Sequence, residues 1–123
     1  MNVAILFGLL WNNVIRLADA TRAFLQAELL AKQDTYVSLP FEMSLPECKG
    51  VFRNPTVRLQ RALYGHPQAS AFWDLHLKQV LMADLGFIAI EGHPSVYYHE
   101  TLRLLVVVYV DDILVSGPPE FPR

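Results

Sequence analysis

A chain of 123 residues, 53% hydrophobic and 18% charged, is long enough for one domain with a real core and too apolar to stay disordered. Its formal net charge of −2 carries no global nucleic-acid signature, and its single cysteine, Cys48, excludes an internal disulfide and suits a reducing compartment. The charge is unevenly spread: Cys48 to Gly65 holds Lys49, Arg53, Arg58 and Arg61 and no acidic residue, which reads either as a solvated basic loop or as a stretch facing phosphates.

In chain order, Val3–Trp11 is an apolar run, and Ala18-Asp19-Ala20 has the small-x-small form of a signal-peptidase site. No Lys or Arg precedes the run, so it reads as a buried helix of an intracellular, cytoplasmic protein rather than a secretion signal. Residues 13–19 alternate enough, at Val14 and Leu17, for a short strand. Apolar positions 23, 24, 27 and 30 then predict a helix over 21–30, beginning directly after Asp19.

Pro40, Pro46, Gly50 and Pro55 predict an irregular connection with strand fragments over 34–57. From Gln68 the pattern changes to a one-sided stripe of Ala69, Phe72, Trp73, Leu77, Val80, Leu81 and Leu85, a core-facing helix of about five turns with Gly86 as its stop. Phe87–Ile90 and Ser95–His99 follow as strands around Gly92-His93-Pro94. The β-branched run Leu104–Tyr109 and the arm Ile113–Ser116 form a hairpin tipped by Asp111-Asp112. Together these elements predict an α+β fold, an antiparallel sheet backed by helices.

Two adjacent carboxylates inside the most apolar stretch of the chain are costly to bury unless a cation meets them. Asp19, Asp111 and Asp112 combine an apolar flank with a strand end; if the strand at 13–19 lies beside the 104–116 hairpin, Asp19 and Asp111 reach the same sheet edge, and two or three aspartates there are the oxygen donors that Mg²⁺ or Mn²⁺ accepts. The plainer reading is that Asp111-Asp112 is a turn and Asp19 a helix N-cap. His66, His76, His93 and His99 show no metal-ligand spacing.

Tyr109-Val110-Asp111-Asp112 resembles the YVDD box of reverse transcriptases. Asp19-Ala-Thr-Arg-Ala-Phe-Leu-Gln-Ala-Glu-Leu29 is similar to the D-V-K-T-A-F-L-x-G-E-L segment of the Ty1/copia class, and Leu59-Gln-Arg-Ala-Leu-Tyr-Gly-His-Pro-Gln-Ala-Ser-Ala-Phe-Trp73 is similar to its L-x-K-A-L-Y-G-L-K-Q-A-P-R-x-W segment. Three boxes in the right order, covering roughly residues 10–117, make a specific signal.

The resemblance implies a polymerase palm, RNA-directed DNA synthesis by two-metal nucleotidyl transfer, and template-primer and dNTPs as partners, with no membrane involved. It implies that Asp19 and Asp111 ligate the metals with help from the Ala20 carbonyl, that Asp112 completes the carboxylate cluster, that Phe24 lies under the sugar of the incoming nucleotide, and that Tyr64-Gly65 contacts nucleotide and template. Lys49, Arg53, Arg58 and Arg61, just before or within the second box, become candidate phosphate contacts.

The sequence departs from the family pattern at residues 20–22, Ala-Thr-Arg for the more usual Val-Lys-Thr, at Ala27 for glycine, and at Pro67 and Ser70 for Lys and Pro. Only 18 residues precede Asp19 and 11 follow Asp112, which predicts a single partial domain, 1–123, with most of the fingers and all of the thumb absent and no turnover unaided. The remainder of a polyprotein is then a further expected partner. The alternative function is a non-catalytic module that keeps the palm fold and binds nucleic acid or another subunit.

Overall fold

The structure is a computed structural model that describes residues 2–10, 12–30, 32 and 34–120. Trp11, at the end of the first apolar run, lies outside them. A five-stranded antiparallel sheet dominates, in the order β1-β7-β6-β5-β4, with β1 Val14–Asp19, β4 Ile88–Ile90, β5 His93–His99, β6 Leu104–Tyr109 and β7 Asp112–Gly117. A separate two-stranded ribbon pairs β2 Tyr36–Ser38 with β3 Thr56–Arg58. Between them run two short 3₁₀ turns, Phe41–Met43 and Pro46–Cys48, in keeping with the irregular connection read from the prolines.

The β-branched run explains the sheet's centre. Leu104 to Val108 of β6 are all buried, and successive residues serve opposite faces. Leu104, Val106 and Val108 pack with Trp73, Leu77 and Leu81 of helix α3, Ala69–Gln79 and the turn after it, while Leu105 and Val107 pack with Ala4 of helix α1, Asn2–Gly8. Each fully buried aliphatic side chain contributes about 1.5–3 kcal/mol. A strand sealed on both faces is thereby fixed in the middle. The α3 stripe works at i, i+4 spacing through Ala69, Trp73, Leu77 and Leu81. The helix widens into a π turn, Val80–Asp84, before Gly86 at φ 76 reverses the chain as its sequence position predicts.

Several expectations are corrected. Residues 2–8 are helical, but α1 lies on the sheet rather than inside the core: Ala4 is buried while Leu6 and Leu9 are 62% and 74% exposed. The helix read over 21–30 shrinks to the single turn α2, Ala23–Gln26, because the chain beyond it is recruited into extended pairing. Leu29 N–H donates to the Gln60 carbonyl and Ala62 N–H to the Ala27 carbonyl. Arg22, in the left-handed region at φ 56, precedes α2, so Asp19 is not a helix cap. The turn between β4 and β5 is Glu91-Gly92 alone, and His93 and Pro94 belong to β5. At the hairpin tip the loop is Val110-Asp111, and Asp112 is the first residue of β7.

Candidate active site at the end of the central sheet

The strand register brings the three predicted carboxylates to one sheet end. Asp19, last in β1, lies directly opposite Asp112, which in turn lies opposite Tyr109 on its other side. Asp111 sits between them in chain order, on the two-residue loop. The Ala20 N–H donates to the Asp111 carbonyl at 2.8 Å, a flanking bond that makes Asp19–Asp112 a non-hydrogen-bonded pair. In such pairs the Cα atoms approach to about 4.5 Å and the side chains stand on the same face.

The burial argument for a cation is overturned. The buried part of the run ends at Val108; Tyr109 is 69% exposed, Asp19 and Asp112 are exposed and Asp111 is half-buried. What takes its place is like charges placed opposite each other across neighbouring strands, an arrangement that destabilises a sheet. The donor chemistry suits Mg²⁺ or Mn²⁺, hard cations that take carboxylate oxygens. Among the described residues, however, no group of three or more His, Cys, Asp or Glu side chains converges closely enough to hold an ion. The backbone register gathers the three carboxylates at one sheet end without bringing their side chains together.

The loop itself is strained. Val110 adopts φ 56, a region where a β-branched residue is a genuine outlier costing about 1–3 kcal/mol. Its carbonyl accepts a hydrogen bond from the Trp73 indole Nε1–H at 2.5 Å. The sequence reading left Trp73 in the core, and it is core, 2% exposed, yet a buried indole N–H needs an acceptor. That requirement was the available signal.

The other predicted residues divide into two groups. Phe24 and Tyr64 meet, with ring centroids 4.6 Å apart at 53°, Phe24 half-buried and Tyr64 53% exposed. Gly65 follows at φ 90, which a side chain would resist. Ala20 is half-buried, and its carbonyl accepts from Ala23 N–H with a second lone pair to spare. The basic residues do not gather into one patch: Arg58 pairs with Asp34 at 3.1 Å, Arg61 donates to the Gln26 carbonyl at 2.6 Å, Lys49 lies over the Phe41 ring, and Arg53 is exposed. Beside Asp112 an apolar pocket of about 290 Å³ is lined by Leu17, Val107, Tyr109 and Leu114, the part of that face α1 leaves open.

An antiparallel sheet with aspartates opposed at its end, in a chain whose residues 3–120 match the family described as "Reverse transcriptase (RNA-dependent DNA polymerase)", places the protein in that family. Its type is that of the Ty1/copia transposons. Over 108 residues, 84% of this chain, it is 33% identical to the Retrovirus-related Pol polyprotein from transposon RE1 of Arabidopsis thaliana, and over the same share 32% identical to that from transposon RE2. Over 104 residues, 85% of the chain, it is 25% identical to the Transposon Ty1-MR1 Gag-Pol polyprotein of Saccharomyces cerevisiae. The chain spans 7% of the length of the first two and 5% of the third. No solved structure gives a significant match. No helix among the described residues is long and apolar enough to cross a membrane.

Proposed function

We propose that the chain is the palm portion of a Ty1/copia-type reverse transcriptase, an enzyme class that extends a DNA primer on an RNA template, that it does not turn over unaided, and that Asp19, Asp111 and Asp112 hold Mg²⁺ or Mn²⁺ at the end of the sheet. The observation that carries this is the register: Asp19 of β1 opposite Asp112 of β7, with Asp111 on the adjoining loop. When bound, the metal would favour ionisation of the attacking hydroxyl and compensate charge on the phosphate.

The chain's own residues do the positioning. Asp19 supplies oxygens from the end of β1 and Asp111 from the β6–β7 loop, the two tied by the Ala20–Asp111 backbone bond, so their spacing is set by the end of the sheet. Asp112 adds negative charge that raises the cluster's attraction for a divalent ion. Phe24, braced by Tyr64, offers a flat wall to the sugar of an incoming nucleotide, a steric test on a 2′-hydroxyl. The apolar floor of Leu17, Val107 and Leu114 beside Asp112 suits the sugar face of a primer end. Lys49, Arg53, Arg58 and Arg61 are all exposed and available to phosphate, Arg58 and Arg61 after exchanging their contacts with Asp34 and the Gln26 carbonyl. The chain spans a small part of its relatives' length, and polymerase turnover is expected of the whole enzyme and not of this chain unaided.

The test is Mn²⁺ titration monitored by electron spin resonance, with primer extension on an RNA template alongside. Binding lost in Asp19→Asn and in Asp111→Asn, and any incorporation lost with it, supports the assignment. Binding indifferent to both substitutions sinks it. Salt-dependent nucleic-acid binding that survives Asp19→Ala and Asp111→Ala and needs Arg58 and Arg61 would point to the non-catalytic module instead.

A further inference from the structure

We propose that Trp73 is a positioning residue for the aspartate cluster: its indole N–H holds the strained Val110 loop in the conformation that keeps Asp111 beside Asp19. The proposal rests on the reading of those aspartates as a metal site, and it assigns the site a support from the opposite face of the sheet.

Three observations carry it. Val110 is the only residue between Tyr109 and Asp111, and its carbonyl belongs to the peptide unit that leads into Asp111. Whatever holds that carbonyl sets the plane from which the Asp111 side chain departs. The Trp73 Nε1–H donates to it at 2.5 Å from α3, a helix anchored by Leu77 and Leu81 in the main core. The next carbonyl along, that of Asp111, is held by the Ala20 N–H at 2.8 Å, one residue after Asp19. Consecutive carbonyls of the loop are therefore gripped by two different elements, and the second grip is itself attached to the other metal-holding strand. Val110 at φ 56 is a conformation a valine leaves readily when nothing restrains it. Packing alone would need the indole ring but not the direction of its N–H.

A double-mutant cycle separates a latch from a core side chain. Trp73→Phe removes the donor and keeps an aromatic ring, while Val110→Gly removes the cost of the left-handed loop. Mn²⁺ affinity and the exchange rate of the Ala20 amide are read in all four combinations. In the valine background, Trp73→Phe is expected to weaken Mn²⁺ binding by about tenfold, the lower end for loss of a supporting hydrogen bond at a metal site, and to speed Ala20 exchange. In the glycine background both effects are expected to shrink to about twofold or less, because the strain the bond opposes is gone.

Wild-type Mn²⁺ affinity and Ala20 exchange in Trp73→Phe, or equal losses in both backgrounds, would overturn the proposal. If the wild-type chain binds no Mn²⁺, the metal reading fails on its own account and Ala20 exchange alone decides the latch. If Trp73→Phe unfolds, benzothienylalanine at position 73 keeps the bicyclic volume without the donor, and the same two readouts apply.

Discussion

Asp19 and Asp112 stand directly opposed in a non-hydrogen-bonded strand pair, the geometry that brings side chains closest. Without a cation their repulsion works against the sheet that presents them. Asp112→Asn is therefore expected to raise stability by a few tenths to about 1 kcal/mol, measured by urea unfolding in the presence of a chelator, and to lose that advantage when Mn²⁺ is added. A second carboxylate behaves differently. Desolvation raises the pKa of Asp74 above its usual 3.8, and burial together with the Asp74 charge raises that of Tyr97 above 10.0. In both cases the folded state holds the proton more tightly than the unfolded chain does. The resulting stability is fully present below the ordinary pKa and is lost as pH rises through the raised one. Asp74 lies at an exposed position where solvent screens much of this effect, so Asp74→Asn should raise the melting temperature at pH 7 only slightly and leave it unchanged well below 3.8, where the carboxyl is already neutral. It should also bring the Tyr97 titration, followed by phenolate absorbance, closer to 10.0.

At the scale of elements, α1 shows how little holds a surface helix to this sheet. The buried Ser116 hydroxyl donates to the Ala4 carbonyl at 2.7 Å, joining β7 to α1 across most of the chain's length. Ser116→Ala is expected to cost about 0.5–1.5 kcal/mol through the lost hydrogen bond, with faster amide exchange confined mainly to α1. The strands and α3 were legible from the sequence because burial imposes a period: the run Leu104–Val108 and the stripe Ala69, Trp73, Leu77, Leu81 each announce one element. Residues 21–30 were misread because Ala23, Phe24 and Ala27 satisfy helical spacing locally, while the bonds that end α2, to Gln60 and Ala62, come from residues more than thirty positions away. The same blindness to distant partners hid the Trp73–Val110 bond and left Arg58 and Arg61 looking free. The aspartates were legible as a set because family boxes mark them. Their relative placement depended on the register of β1 with β7, which no local pattern specifies.

For the whole molecule, the face that carries Asp19 and Asp112 keeps part of its apolar surface open. α1 covers the part of it over Leu105, Leu6 of α1 and Leu9 of the turn after it are exposed, and the uncovered part keeps Leu17 at 72% and Tyr109 at 69% exposed. Apolar side chains gathered in this way on a small domain favour association, since each fully exposed leucine withdrawn from water is worth about 1.5–3 kcal/mol. A net charge of only −2 offers little electrostatic opposition. The purified chain is accordingly expected to self-associate in a concentration-dependent way that added salt does not reverse, because screening weakens charge pairs and not apolar contacts. Sedimentation velocity across a concentration series checks this. Leu6→Glu together with Leu9→Lys alters exposed positions of α1 and the turn after it, keeps the net charge at −2 and should shift the distribution towards monomer with the helical content unchanged. An unchanged distribution would show that α1 is not the contact, and Leu17→Lys then tests the open part of the same face.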